Sequence, residues 1–273
     1  MWSMSVRGSS FSRLVRLGAA LAAVGVCAAG FAGAGPAAGG DSYVALGDSY
    51  SSGVGTGSYT LDSACKRSMY AYPYLYTQKH PGTSLTFVAC SGAKTSDLLA
   101  TQIQAVTGAT TLVTMTIGGN DIGFANLIYQ CTVTDCSATL DSTRANLETT
   151  LGAALDQDYT SVKSRAAVGA KIIVLGYPRV FSGASCFGTL GISSTEQAKA
   201  NALADALDNL IAAQAAGDGV TYRSAVGAFT GHAVCSSSPW LNGLNLLNTG
   251  ESDHPNRSGH SSGYLPLVTA VTG

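Results

Sequence analysis

Short apolar runs alternate with longer helical stretches along most of this 273-residue chain. The first four runs are almost continuously hydrophobic, which is typical of strands buried on both faces of a parallel sheet. Such alternation predicts an α/β fold, namely a three-layer α/β/α sandwich with right-handed crossovers between strands. The predicted strands cover residues 43–46, 85–89, 112–117, 172–175 and 220–223.

The stretches between these runs carry the signals of helices. Pro73 fits only near the start of the first helix, because proline lacks the N–H group that a helix interior needs. Ser194 and Gln197 are spaced as a capping box at the start of the fourth. Gly263 and Pro266 weaken the last one. The predicted helices cover residues 71–79, 95–104, 140–168, 194–216 and 258–271.

The first 38 residues have the features of a secretory signal peptide. Three arginines precede an uncharged, alanine-rich stretch over residues 17–31, and small residues follow it. The stretch is short for a membrane span. We therefore expect cleavage between residues 34 and 40, a secreted extracellular protein without stable membrane insertion, and a single domain over residues 39–273.

Cleavage would change the charge balance of the chain. It removes three of the 15 basic residues and none of the 16 acidic ones, which leaves a net charge of −4. No basic run survives, and this argues against nucleic acid as a partner.

Cleavage would also leave six cysteines. An even number in an exported protein predicts three disulfides, for which 15 pairings are possible. No C-x-x-C pair occurs and the spacings match no zinc pattern, so no metal is expected. We favour the sequential pairing, because each bridge then closes a short excursion between core elements. It joins Cys65 with Cys90, Cys131 with Cys136, and Cys186 with Cys235.

Polar motifs follow the first three predicted strands, at the edge of the sheet where ligands bind in such folds. The first is Gly47-Asp48-Ser49, where a serine at a strand-to-helix turn would expose its hydroxyl near a helix N-terminus. Gly92 follows the second strand and offers a backbone N–H. Asn120 follows the third, in Gly118-Gly119-Asn120-Asp121, and offers a side-chain amide. Each motif alone is equally explained as a helix cap or a tight turn.

A serine nucleophile needs a base whose pKa lies near neutrality, and histidine is the usual one. The chain has four histidines. His254 is the best candidate, because it lies in a loop before the last helix, with flanking acids and with Pro255 to fix the backbone. The alternative is an ordinary surface-loop histidine.

Together, the four motifs resemble the SGNH hydrolases, also called the GDSL family, which is named for a Ser, a Gly, an Asn and a His in four sequence blocks. The blocks occur here in the family's order, from about Asp41 to the C-terminus, and the likeness is strongest to secreted actinomycete-type lipases, phospholipases and esterases. The resemblance implies a flavodoxin-like sandwich of about five parallel strands. It also implies Ser49 as nucleophile, His254 as base, and an oxyanion hole made by the N–H groups of Ser49 and Gly92 with the Asn120 amide.

One position departs from the family pattern. The family usually places an aspartate three residues before the catalytic histidine, where this chain has Glu251. Asp253 is adjacent to His254, and neighbouring side chains usually diverge. Some relatives orient the histidine by a backbone carbonyl two residues upstream, which is Ser252 here. We favour a Ser49–His254 dyad oriented by that carbonyl, with Glu251 as a conventional third member as the alternative.

These motifs predict acyl transfer to water by a secreted lipase or carboxylesterase that acts on fatty-acyl esters as a monomer, without metal or organic cofactor. A phospholipase A1 and a polysaccharide O-deacetylase are alternatives on the same fold, and a non-catalytic secreted binding module is an alternative of another class. Tyrosines at the front of the chain would either edge an acyl-binding crevice or serve in packing: Tyr50, Tyr59, Tyr70, Tyr72, Tyr74 and Tyr76.

Overall fold

The computed structural model describes residues 40–273, so the predicted signal peptide and most of its cleavage region lie outside the described residues. Five strands form one parallel sheet in the order β2-β1-β3-β4-β5. This sheet, with helices on both faces, confirms the predicted α/β fold. The strands are β1 (Ser42–Ala45), β2 (Ser84–Phe87), β3 (Leu112–Met115), β4 (Lys171–Leu175) and β5 (Thr221–Arg223).

Burial of the strands follows their position in the sheet. The central strand β3 is buried at every residue, as its almost continuously hydrophobic sequence predicts. The second predicted strand differs, because β2 lies at the edge of the sheet and its polar residues Ser84 and Thr86 are exposed. Its four residues alternate polar and apolar, which is the pattern of a strand with one wet face.

The α-helices within residues 40–273 range from four to 25 residues. They are α1 (Ser49–Ser52), α2 (Tyr72–Lys79), α3 (Thr95–Ala100), α4 (Phe124–Cys131), α5 (Ser137–Ala145), α6 (Leu147–Arg165), α7 (Ser194–Asp218), α8 (Ala225–Ala228) and α9 (Leu265–Thr272). The short ones are α1, α3 and α8.

The hand of the crossovers decides which face each helix covers. The chain leaves β1 in one direction to reach β2 and then moves in the other direction to β3, β4 and β5. Right-handed crossovers therefore place α2 on one face and α3, α6 and α7 on the other. The packing agrees, since α6 contacts both α3 and α7, whereas α2 contacts α9.

Several helix boundaries differ from the sequence prediction. The predicted helix over 140–168 is interrupted at Asn146, which ends α5 and precedes α6. Helix α4 was not predicted, although its apolar residues recur at helical spacing. The last predicted helix begins as a π-type turn over Gly259–Tyr264. Gly263 is required there, because a Cβ atom would lie 2.4 Å from the ring of Phe229.

The start of α7 is also shifted by one residue from the predicted cap. Ser193, not Ser194, is the N-cap, and its hydroxyl accepts a hydrogen bond from the N–H of Glu196 at 3.3 Å. The Glu196 carboxylate accepts the Ser193 N–H at 2.9 Å in return. The capping box is therefore Ser193 with Glu196, and the predicted pair of Ser194 with Gln197 was wrong.

Three disulfides join loops on the side of the sheet where the strands end. They link Cys65 with Cys90, Cys131 with Cys136, and Cys186 with Cys235. This is the sequential arrangement favoured from the sequence.

No helix among residues 40–273 is both long enough and apolar enough to cross a membrane.

We expect Ser193→Ala to lower the free energy of unfolding by about 1 kcal/mol, because α7 loses its cap. Ser194→Ala is the matched control, since Ser194 is exposed and one residue away, and it should change stability by less than about 0.5 kcal/mol. Urea unfolding of both variants measures the difference. Equal losses would contradict the cap assignment.

Candidate active site

The candidate residues meet where the strand order reverses. The connection from β1 leads to β2, whereas β3 continues the sheet on the opposite side of β1. Parallel sheets form their ligand-binding crevice at such a point, beyond the carboxyl ends of the strands. Ser49 follows β1 and Asn120 follows β3, so the topology places both at this crevice.

Ser49 is the first residue of α1 and is 7% exposed. Asp48 caps this helix, and its carboxylate accepts the N–H of Tyr50 at 3.0 Å. The Ser49 N–H donates to no acceptor within residues 40–273. That group is therefore free to bind an oxygen that carries negative charge.

His254 contacts Ser49 directly. Its Nε2 lies 2.8 Å from the Ser49 hydroxyl oxygen, and its Nδ1 lies 2.7 Å from the Ser252 carbonyl oxygen. A carbonyl can only accept, so Nδ1 carries the ring proton and Nε2 presents its lone pair to the hydroxyl. This tautomer allows Nε2 to take the Ser49 proton.

Glu251 directs its carboxylate away from this histidine nitrogen. The carboxylate accepts the N–H of Gly55 at 3.0 Å, the hydroxyl of Tyr59, and the amide of Asn248 at 3.4 Å. A Cβ atom on Gly55 would lie 2.9 Å from the Cβ of His254, so this loop packs closely behind the histidine. Glu251 thus fixes the loop against which His254 rests.

Gly92 and Asn120 lie on adjacent loops. The Asn120 side-chain amide donates to the Ala93 carbonyl at 3.0 Å, and one of its two hydrogens remains for another acceptor. Gly92 has a φ of +85°, a conformation that favours glycine, and its N–H has no acceptor among residues 40–273. Asn120 lines the pocket described next, whereas Gly92 lies outside its lining.

An apolar pocket adjoins Ser49, Asn120 and His254. Most of its wall is hydrocarbon or aromatic, which suits an acyl chain better than a sugar. Helix α4, the chain after β4, and α7 supply this wall: Phe124 and Ala125, Tyr177 and Pro178, and Ala204 and Leu207.

The tyrosines at the front of the chain have separate places in the structure. Tyr50 lines the pocket. Tyr72 and Tyr76 are fully buried in the core. Tyr59 donates to Glu251, and Tyr70 lies under the guanidinium of Arg257. The tyrosines after Tyr50 therefore serve mainly in packing and in hydrogen bonding.

The sequence reasoning missed two residues that support the site. Tyr177 donates its hydroxyl to the carboxylate of Asp48, below the nucleophile position. It follows β4, so the rule that singled out the other strand ends could have found it. Asn242 donates its N–H to the His254 carbonyl at 2.9 Å and accepts the N–H of Asp253. No sequence signal marks this loop asparagine.

Burial dominates the electrostatics of the site. It lowers the pKa of His254 to about 4, although the Ser252 carbonyl and the Glu251 charge both favour the protonated ring. Burial also raises the pKa of Asp48 to about 6, against the effect of its hydrogen bonds from Tyr177, Thr116 and Tyr50. His254 is accordingly neutral at physiological pH, as a general base must be.

Comparison with known proteins identifies the family of this chain. A family described as GDSL-like Lipase/Acylhydrolase matches residues 45–261. Lipase 1 of Streptomyces coelicolor is 42% identical over 236 residues, which cover 85% of this chain and 87% of that protein.

Two solved structures of Streptomyces enzymes are also similar to this chain. The extracellular lipase of Streptomyces rimosus is 45% identical with a TM-score of 0.79, over 84% of this chain and 98% of that one. The phospholipase A1 of Streptomyces albidoflavus is 41% identical with a TM-score of 0.80, over 85% and 99%.

We expect protonation of His254 to lower kcat/KM for a soluble ester with a midpoint near 4, because burial keeps the ring neutral above that pH. Glu251→Gln removes a charge that raises this pKa and should move that midpoint lower. A separate loss near pH 6, from protonation of Asp48, should be the same in the parent and in Glu251→Gln. Assays at graded pH, each checked for recovery at neutral pH, measure both. A profile without a midpoint near 4 that Glu251→Gln lowers would contradict the assignment.

Proposed function

The chain belongs to the GDSL-like lipase/acylhydrolase family, and on this premise we propose that it is a secreted lipase that cleaves fatty-acyl esters through an acyl-enzyme on Ser49. It is a carboxylic ester hydrolase, as its relatives are. The observation that carries the proposal is the 2.8 Å contact between the Ser49 hydroxyl and His254 Nε2 beside an apolar pocket.

The first step is attack on the ester. The Ser49 oxygen bonds to the carbonyl carbon while its proton passes to Nε2 of His254, and the carbonyl oxygen becomes an oxyanion. The N–H groups of Ser49 and Gly92 and the Asn120 amide stabilise this oxyanion. One such donor lowers the barrier by roughly 3 kcal/mol.

The second step releases the alcohol. The bond from the carbonyl carbon to the alkoxy oxygen breaks, and the Nε2 proton passes to that oxygen. Water then attacks the acyl carbon while its proton passes to Nε2 of His254. The bond from that carbon to the Ser49 oxygen breaks, the oxygen takes the proton from Nε2, and the fatty acid is released. Throughout, the Ser252 carbonyl accepts a hydrogen bond from Nδ1–H and keeps the ring oriented.

Secretion is part of the proposal. The charged start, the alanine-rich stretch and the small residues over residues 1–38 support export with cleavage between residues 34 and 40. The three disulfides require an oxidising compartment, and the similar Streptomyces rimosus lipase is described as extracellular. The catalytic domain would then be the segment 39–273.

A phospholipase A1 activity is the second candidate. The similarity to the Streptomyces albidoflavus enzyme, at 41% identity and over 99% of that chain, favours it specifically. Both candidates place a fatty-acyl chain in the same apolar pocket and differ in the alcohol that leaves. The apolar wall disfavours a polysaccharide O-deacetylase, whose substrate is polar.

Single substitutions test the dyad. We expect Ser49→Ala and His254→Ala to lower kcat by about 10⁴-fold or more. Ser52→Ala is the matched control, because Ser52 is buried on the same helix and its hydroxyl bonds only the Ser49 carbonyl. Loss of a triad acid costs about 10⁴-fold, whereas we expect Glu251→Gln to retain kcat within about tenfold.

Hydrolysis rates on p-nitrophenyl esters of the parent and these variants measure the effects. An active Ser49→Ala protein would overturn the mechanism. Equal losses in Glu251→Gln and His254→Ala would instead make Glu251 the third member of a triad.

Substrate class is tested with the parent protein. We expect kcat/KM to rise with the length of the acyl chain in p-nitrophenyl esters, by up to about fourfold for each methylene that enters the apolar pocket. Fatty acid released from triglyceride and from phosphatidylcholine, measured side by side, separates lipase from phospholipase. A preference for acetate, with no release from either lipid, would reject both lipid substrates.

A further inference from the structure

Exposed apolar side chains are concentrated on one part of the surface. Of the eight large hydrophobic side chains exposed in residues 40–273, six lie on three segments beyond the carboxyl ends of the strands, one of which includes helix α4. Leu247 is 99% exposed, Val133 72% and Phe187 65%. We call the six together the apolar rim: Tyr129, Val133, Phe187, Leu190, Leu246 and Leu247.

The segments that carry the apolar rim also contain no charged residues. Residues 122–134, 180–195 and 236–250 contain no Asp, Glu, Lys or Arg, although charged residues make up 11% of the chain. These three segments combine exposed apolar side chains with an absence of charged residues. Such a composition is typical of a surface that is buried against a partner.

The three segments lie against one another. The Leu244 N–H donates to the Gly188 carbonyl at 3.0 Å, which joins the third segment to the second. Gly191 packs on Thr132 so closely that a Cβ atom would lie 2.2 Å from its carbonyl oxygen, which joins the second to the first. The three segments that carry the rim are therefore neighbours in the fold.

A groove connects the apolar rim with His254, the proposed base. This groove, distinct from the apolar pocket, is lined by residues of all three segments and ends at Ser252 and His254. Ala125, Asp253 and His254 line both the groove and the pocket. A lipid molecule lying on the rim can thus reach His254 along a groove whose lining includes one carboxyl group, that of Asp253.

We propose that the apolar rim docks the enzyme on the uncharged surface of aggregated acyl-ester lipid, and that substrate enters along the groove. This inference rests on the proposed lipase function, because that function brings the enzyme to lipid aggregates. A lipid surface without net charge is the partner that fits, since the three segments contain no Lys or Arg for an anionic headgroup and the Lys66 ammonium lies only beside the end of the third, at Gly250. Apolar burial supplies the attraction, so added salt does not weaken it.

Lipid binding is measured apart from catalysis, with the Ser49→Ala protein and triolein droplets coated with phosphatidylcholine. Flotation gives the partition constant. Burial of one leucine shifts an equilibrium by roughly ten- to a hundredfold, so we expect Leu246→Ser/Leu247→Ser to weaken partition by at least about tenfold. Phe187→Ser, on another segment, should weaken it too.

Val168→Ser is the matched control. Val168 is fully exposed, but it lies between α6 and β4, at the amino ends of the strands and so on the opposite edge of the sheet. It should leave the partition constant unchanged. Thermal unfolding of each variant verifies that the fold is intact.

Two results would overturn the proposal. One is equal partition of the parent, rim and control proteins. The other is binding that requires phosphatidylglycerol in the coat and is lost in high salt. Failure of the proposed lipase function can be told apart from failure of the docking proposal. In the first case the parent enzyme would release no fatty acid from any lipid, whereas flotation measures binding without turnover.

Discussion

One buried carboxylate holds the ends of three strands together. Asp48 follows β1, caps α1, and accepts hydrogen bonds from Thr116 at the end of β3 and from Tyr177 at the end of β4. Burial of a carboxylate is costly unless its oxygens are satisfied, and these donors satisfy them. The position of Ser49, the loop that carries Asn120 and one wall of the apolar pocket therefore all depend on the same group.

Hydrogen bonds to its backbone hold the histidine loop, in addition to the contacts of Glu251. Asp253 adopts a φ of +60°, its carbonyl accepts the Tyr50 hydroxyl at 2.5 Å, and the Asn242 backbone bonds the Asp253 N–H and the His254 carbonyl. A neutral carbonyl then orients His254. Since no carboxylate bonds the ring directly, burial is the largest influence on the pKa of His254 and lowers it.

Much of the fold and of the site could be predicted because the signals are local. Five apolar runs of strand length indicated the five strands, and strand ends pointed to Ser49 and Asn120, which line one pocket with His254. The break at Asn146 could not be predicted, because the apolar spacing continues across it. The Asn242 contacts join loops that only the folded chain brings together. The cap of α7 was misplaced because Ser193 and Ser194 are equally good caps in sequence.

The three disulfides differ in what they do for the unfolded chain. The bridge from Cys186 to Cys235 spans 49 residues and removes about 4 kcal/mol of chain entropy from the denatured state, whereas Cys131 to Cys136 spans five and removes about 2 kcal/mol. The short bridge fixes the corner between α4 and α5 instead. Because α4 forms a wall of the pocket, this crosslink restrains that wall relative to α5 while closing a loop of only five residues.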